Sequence, residues 1–587
     1  MKKILILFVL LISSVSLFAG PIGEERARQI AEEFFAVYDT RSTSGEIELE
    51  WAGEDINSSK AGNLSNALLY IYNRGTNNGF VVIAGDSNIA PIIAYSFDTT
   101  LDVSNMAEAT RAILDAWSKQ VSMAREAAKP ISEGMPSMAT RADDKLLYNT
   151  ALWNQGEPYN REAPVYDGYR SVTGCVATAM SIICYYNKWP EKGVGTTPEY
   201  TYEDMSGVYR TVAANKLGRT YNYGNMLMDY NYGYTTAQGD AVAALMKDMG
   251  TSVKMQYHYN GSGAIDNNVI AAFITYFSYS KSARLTYRSS YRIDEWNELL
   301  RDNLREYGPT YYSGQSNSGG HAFVVDGFEN DYFHFNFGWG GYGNGFYLCP
   351  EIEYYADQMA LLGLEPDKNG TSTYSDNLML LPYDDTNSGY KYRGITSTDT
   401  EFKQNTTFNI LVGTFYNAGV TTFNGDIWLV LTDKSGKVKE YIADLSVTNL
   451  EPGFLIWYYQ FSASIISAIE TGDRLRVYYK GAYSDDWQWM RSRDIDSCYD
   501  ELVLRPTAEE IADNLQLLYD NSSLNLMYSL PYAHTVTCDG AINASASIAS
   551  YNTVTLSVSD LTGNDKADEI NLTFTIGNES YELLLKF

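Results

Sequence analysis

Histidine and cysteine are scarce, four and five in 587 residues. No Cys-x-x-Cys or His-Glu-x-x-His spacing occurs, which excludes the common zinc centres, and neither a metal nor another cofactor is expected. The cysteines, Cys175, Cys184, Cys349, Cys498 and Cys538, are odd in number and show no paired spacing. That excludes a disulfide scaffold and leaves at least one free thiol. Positive charge is also short: Lys plus Arg is 43 against 72 Asp plus Glu, a net charge of −29 spread along the chain. Such a field makes anionic membrane surfaces poor partners, and no nucleic-acid partner is expected. No apolar run reaches the ~18–20 residues a spanning helix needs, so the chain is not expected to span a membrane. What is present, 45% hydrophobic residues with 49 tyrosines and frequent Gly, Ser, Thr and Asn, points to globular, strand-rich and turn-rich architecture in several domains.

The chain opens with Lys2 and Lys3, the apolar run Ile4 to Ile12, two serines and a small residue at Ala19. This is the layout of a secretory signal cut after residue 19, so a secreted or cell-envelope location, periplasmic or extracellular, is expected. Ala27, Ile30, Ala31, Phe34 and Tyr38 recur at helical spacing, and apolar strand-like runs follow at 67–72 and 80–84. A second helical pattern covers about 107–129. The polar stretch Pro130 to Asp144 then reads as an exposed linker open to proteolysis around Arg141. Residues 146–365 alternate helical and strand patterns. Beyond Asp367 the texture becomes short alternating runs separated by turns such as Asp433-Lys434-Ser435-Gly436, an all-β sandwich over 373–506. A helical pattern at 508–519 leads into a last β module ending at Phe587. Asp367-Lys368-Asn369-Gly370 lacks the later acidic ligands of a calcium loop and reads as a turn.

Cys175 is the one cysteine with a reactive setting. Thr173-Gly174-Cys175 opens an apolar helical stretch that must stop before Pro190, so the thiol stands at a helix N-terminus, where backbone N–H groups and the helix dipole favour its thiolate. Cys184 and Cys349 read as buried structural thiols. Gly319-Gly320-His321-Ala322-Phe323 reads as a strand entered through two glycines, and Tyr332 to Phe337 as its antiparallel partner. A turn centred on Phe328 and Glu329 predicts Asn336 opposite or diagonal to His321, where its amide would orient the imidazole. His334 shares the face of Asn336 and competes for the role. His321 is preferred because Gly319 and Gly320 leave room for substrate backbone. His258 and His534 have no thiol near them in sequence.

Four segments in order, Asn154-Gln155-Gly156-Glu157-Pro158, Thr173-Gly174-Cys175-Val176-Ala177, Gly320-His321-Ala322-Phe323-Val324-Val325-Asp326-Gly327 and Asn336-Phe337-Gly338-Trp339-Gly340-Gly341, resemble the streptopain family of papain-like cysteine peptidases. The likeness covers about 146–365. Residues 70–73 and 79–86 resemble the inhibitory propeptide of the same family. The resemblance implies Cys175 as nucleophile, His321 as general base and acid, Asn336 as orienter of the imidazole, and Gln155 with the Cys175 N–H as oxyanion hole. Where the family commonly has Trp after the orienting Asn, this chain has Phe337, so Phe337 and Trp339 together would shield the histidine. The type member lacks the C-terminal β extension, which would stabilise or space the enzyme or bind glycan or protein through aromatics around Trp487 and Trp489.

The expected architecture is therefore α+β: a signal at 1–19, a small α+β inhibitory propeptide at 20–141, a papain-like catalytic domain at 142–365, an immunoglobulin-like sandwich at 373–506 and a β module at 507–587. The expected function is a secreted cysteine endopeptidase made as a zymogen. Its expected partners are protein or peptide substrates, its own propeptide as intramolecular inhibitor, and a separate inhibitor protein built like residues 20–141. The family also implies a bulky apolar residue preceding the one at the scissile bond. The same machinery acting in acyl transfer, and a binding protein with a vestigial site, are the rival readings.

Overall fold

The computed structural model describes residues 20–505 apart from 40–44, 59–65, 128–143, 317–318, 351–355, 387–388, 390, 400–401 and 496, and beyond 505 the backbone of seven strands. The expected signal at 1–19, the linker around Arg141 and the helical pattern at 508–515 lie outside the described residues. The chain divides into two compact units, one running to Thr371 without Ser289–Tyr291, the other holding those three residues with 372–587. Among the described residues no helix is long and apolar enough to cross a membrane.

The first unit is built on one 11-stranded sheet. Its N-terminal part supplies α1 (Glu24–Tyr38), β1 (Ile47–Gly53), β2 (Leu69–Arg74), β3 (Phe80–Ala84), β4 (Ile92–Ser96) and α2 (Glu108–Ala127). The spacing of Ala27, Ala31 and Phe34 puts one face of α1 into the core, and β3 and β4 are buried along their whole length because both their faces are covered. The remainder supplies β5 (Lys145–Leu147), α3 (Cys175–Asn187), α4 (Thr236–Ser252), α5 (Asn267–Phe277), β6 (Arg284–Tyr287), α6 (Ile293–Tyr307), β7 (Thr310–Ser316), β8 (Gly319–Glu329), β9 (Tyr332–Asn336), β10 (Gly345–Leu348) and β11 (Ala356–Leu362). The sheet order is β1-β2-β3-β4-β10-β9-β8-β7-β11-β6, with β5 paired to β8.

The N-terminal strands thus extend the sheet that carries His321. Phe346 and Tyr347 of β10 pair with Tyr95 and Ala94 of β4. Tyr332 donates its hydroxyl to the carbonyl of Ile92 at 2.9 Å, and Trp117 in α2 donates its indole N–H to the carbonyl of Leu348 at 3.0 Å. Pairing of backbone at a sheet edge leaves no seam of unsatisfied groups between the two parts.

In the second unit, Phe408, Ile410 and Val412 alternate inward along their strand and join Phe415, Ile427, Leu429, Phe461, Leu475 and Val477 in one core. The long hairpin Phe423–Thr432 and Val438–Leu450 turns where the Asp433 carboxylate accepts the N–H groups of Ser435 at 2.8 Å and Lys437 at 3.0 Å. Gln516–Asp520 is a strand, where the helical pattern had been expected to run on to Tyr519; its hairpin partner Ser523–Ser529 supplies a ladder that overrides local spacing. Trp489 carries the guanidinium groups of Arg476 at 3.9 Å and Arg491 at 4.1 Å over its ring. Trp487 packs against Tyr441 and Trp428 at ring separations of 5.7 and 6.5 Å. Asp367 to Gly370 forms a plain turn, with the N–H of Thr371 on the Asp367 carboxylate at 3.0 Å.

Trp117 is 5% exposed and ties α2 to β10, so Trp117→Ala is expected to cost about 3–5 kcal/mol. Denaturant unfolding of the wild-type and Trp117→Ala chains measures this. An unchanged midpoint would mean that α2 is not part of the cooperative core.

Candidate active site

Cys175 is the first residue of α3, preceded by Gly174 at φ +85°. A side chain at Gly174 would meet the Met255 sulfur at 2.7 Å and the Ser262 carbonyl at 2.8 Å, so only glycine brings the chain into the helix here. From Val176 to Tyr185 the helix is buried on every side, which fixes the sulfur relative to the sheet. The Thr173 N–H donates to the Gln155 carbonyl at 3.0 Å, and the Gly340 N–H to the Trp153 carbonyl at 2.8 Å. These two bonds clamp the Trp153–Gln155 segment between the approach to the thiol and the Gly338–Gly341 loop.

Cys175 and His321 line one cavity of about 500 Å3, together with Val176, Tyr200, Tyr202, Ile265 and Asp266. Gln155 stands outside this lining, its N–H on the Asn154 side chain at 2.7 Å. Gly320 lines the cavity, and a side chain added at Gly319 would meet the Glu108 carboxylate of α2 at 3.7 Å. Sequence reading did not single out Asp266. Its carboxylate accepts the Tyr311 hydroxyl at 2.5 Å, and burial pushes its pKa up.

The imidazole of His321 is caged by the rings of Phe323 at 6.0 Å, Trp339 at 6.4 Å and Phe337 at 6.5 Å. Its Nε2–H donates to the backbone carbonyl of Phe337 at 3.0 Å. A carbonyl accepts only, so this bond fixes the tautomer and leaves Nδ1 with the lone pair. Burial holds the ring neutral by taking its pKa down to about 4. Burial likewise pushes the Cys175 thiol up to about 11, against the smaller opposing effect of the N–H groups of Ala322 and Val176. Burial thus disfavours the charged form of each group taken alone.

The expected hairpin register is corrected. The turn falls at Asn330 and Asp331, with Asn330 at φ +55°, and Val324, not His321, stands opposite Asn336. A bulge at Asp326 shifts the register by one further residue. The Asn336 amide makes its hydrogen bonds away from the imidazole. Its Nδ2 donates to Thr150 Oγ1 and to the Ala151 carbonyl, each at 2.9 Å, and its Oδ1 accepts the Gly338 N–H at 3.2 Å. His334, the competitor, donates from Nδ1 to Asp326 at 2.5 Å instead of facing a thiol. The signal that could have placed the turn is Asn330-Asp331 itself, a pair suited to a two-residue hairpin loop. Nothing in the sequence marked Thr150. Cys175, Cys184, Cys349 and Cys498 are free thiols; the side chain of Cys538 lies outside the described residues.

Residues 153–347 match the model of the peptidase C10 family, and residues 19–121 that of the Spi protease inhibitor. The thiol protease/hemagglutinin PrtT of Porphyromonas gingivalis is 34% identical over 398 residues, 63% of this chain, and the chain spans less than half, 45%, of that protein's length. A prointerpain A fragment of Prevotella intermedia superposes with a TM-score of 0.44 at 26% identity, over 55% of this chain and 99% of that one. Streptopain of Streptococcus pyogenes is 31% identical over 319 residues, 50% of this chain and 78% of its own length. On that coverage, and on a C10 match that spans both Cys175 and His321, the chain belongs to the family of streptopain, the peptidase C10 family of cysteine peptidases.

Proposed function

We propose that this chain is an exported cysteine endopeptidase made as an inactive precursor. The observation that carries the reading is the shared cavity of Cys175 and His321, with the thiol at a helix start and the imidazole in a fixed tautomer. Nδ1 takes the thiol proton, and Sγ adds to the scissile carbonyl carbon. The N–H of Cys175 and the Gln155 amide hold the oxyanion. Collapse expels the amine, which takes the proton back from Nδ1. Water then opens the thioester with Nδ1 as base, returning a carboxylic acid and the free thiol. Orientation of His321 falls to the Phe337 carbonyl, and Asn336 acts one step behind it.

In the same proposal residues 1–19 direct export and are removed, and residues 20–141 hold the enzyme inactive until the linker is cut near Arg141. The match of that segment to an inhibitor supports this, as does burial that disfavours the charged forms of thiol and imidazole. The regions 373–506 and 507–587 stabilise or space the enzyme. Polypeptide is the substrate, with a bulky apolar side chain before the residue at the scissile bond; Val176, Tyr200, Tyr202 and Ile265 in the cavity support that preference.

Incubation of residues 20–587 under reducing conditions, as wild type and Cys175→Ala, tests the reading by gel, mass and casein hydrolysis. Wild type should shorten near Arg141 and hydrolyse casein, while Cys175→Ala stays intact and inert. A wild type that remains silent after an external protease has cut the linker would overturn it. Gln155→Ala should lower kcat on the order of 10²–10³-fold with the thiol still alkylated, the loss typical of one oxyanion donor.

The pH behaviour follows from the two shifts. A thiol raised to about 11 stays protonated at neutral pH, so iodoacetamide should alkylate the precursor slowly at pH 7 and faster as pH rises toward that value. The linker-cut enzyme should react readily at neutral pH. For His321 the folded pKa of about 4 lies below the unfolded 6.5, so the unfolded chain binds the extra proton. Stability from the caged neutral ring is complete above about 6.5 and is lost as pH falls toward about 4. Melting curves of the Cys175→Ala precursor should show this fall, reduced in the additional variant His321→Gln.

A further inference from the structure

We infer that Thr150, Asp326 and His334 are positioning residues for His321, acting through a buried relay that ends on the Phe337 carbonyl. The inference rests on the peptidase reading and extends its site beyond the residues that sequence motifs pick out.

The relay begins at the bulge. Val325 pairs with Phe335 and Gly327 with His334, so Asp326 is the extra residue and has no partner across the ladder. A bulge re-aims a side chain, and here the carboxylate gains two donors. His334 Nδ1–H donates to Oδ1 at 2.5 Å, and the Thr150 hydroxyl donates to Oδ2. With its hydrogen committed to Asp326, the Thr150 oxygen presents only lone pairs to its other side. There the Asn336 Nδ2 donates to it at 2.9 Å. That order of donors fixes which way round the Asn336 amide stands. Nδ2 faces Thr150 and the Ala151 carbonyl. Oδ1 is left to accept the Gly338 N–H at 3.2 Å, closing a turn around Phe337.

The turn aims the Phe337 carbonyl at His321 Nε2, 3.0 Å away. Two further contacts stop it from swinging. The Phe337 N–H donates to Asn344 Oδ1 at 3.0 Å, and Gly338, at φ +71°, lies so close to α3 that an added side chain would meet Thr178 at 3.1 Å. The carbonyl that holds the imidazole is thus referenced to the helix that holds the thiol. Asp326 is 2% exposed, Thr150 5% and Asn336 fully buried, so water cannot substitute for any of these three, and a buried chain of this kind acts as a unit, with the partly exposed His334 at its outer end.

Without the Thr150 hydroxyl, Asn336 loses the acceptor that sets its orientation, and the carbonyl loses its aim. The test uses full-length chain with the linker cut, as wild type, Thr150→Val, Thr150→Ser and His334→Gln. Each is read by kcat and KM on a peptide, by the pH profile of Cys175 alkylation with iodoacetamide, and by melting temperature. Thr150→Val should lower kcat on the order of 10–100-fold with KM little changed, because a small displacement of a catalytic base is felt in the transition state. Its alkylation profile should move toward that of a free thiol. Thr150→Ser keeps the hydroxyl and should restore both. A Thr150→Val enzyme with a lower melting temperature but wild-type kcat and alkylation profile would overturn the inference. Should that variant fail to fold, His334→Gln decides: it keeps a donor for Asp326 but loosens it, and a several-fold loss of kcat with a displaced profile supports the relay, while wild-type values overturn it. Wild type that alkylates at neutral pH yet cleaves no peptide would sink the peptidase reading alone, and the relay would then be judged on the alkylation profiles.

Discussion

One hydrogen bond, from His321 Nε2–H to the carbonyl of Phe337, determines what the site can do. It fixes the tautomer, sets the plane of the ring and leaves Nδ1 with its lone pair. A backbone carbonyl is well suited to this. It cannot titrate, and unlike a side-chain amide it cannot present a donor by turning over. Its weakness is that a carbonyl at a strand end goes where the backbone goes. The structure answers with an Asn336 turn, an Asn344 contact to the Phe337 N–H and a glycine pressed against Thr178. Asparagine still matters next to the histidine, but as the residue that shapes the turn.

The parts of this arrangement that were legible in sequence are those set by local chemistry. Gly174 before Cys175 and the apolar run after it placed the thiol at the first residue of α3, and Ala27, Ala31 and Phe34 placed α1. The four motifs identified the peptidase core, and the C10 match over 153–347 agrees. What was not legible depended on counting across a hairpin. A turn at Asn330 and Asp331 in place of Phe328 and Glu329, together with one bulged residue, moved Asn336 from His321 to Val324. Periodicity is blind to a bulge, because the extra residue leaves the hydrophobic alternation on either side intact. The same limit explains Gln516–Asp520, where a helical pattern lost to strand pairing with 523–529, and Trp489, whose exposure could not be judged without Arg476 and Arg491.

The electrostatics of the dyad behave as a pair. Desolvation keeps the thiol protonated and the imidazole neutral, and ionising either one alone in this cavity is unfavourable. A proton passed from sulfur to imidazole in the cavity that both line would create opposite charges together, each lowering the cost of burying the other. Geometry here is held by the sheet. His321 lies on β8, its supporting turn follows β9, and β10, next in order, is paired on its far side to β4 of the N-terminal part. A segment that matches an inhibitor is thus joined to the active-site sheet by backbone hydrogen bonds, which depend little on side-chain identity. Point substitutions along β4 would leave that ladder standing, whereas cutting the chain between α2 and β5 would free the N-terminal part to leave. Control of the site by chain cleavage, in preference to a titrating contact, is the form of regulation that this connectivity favours.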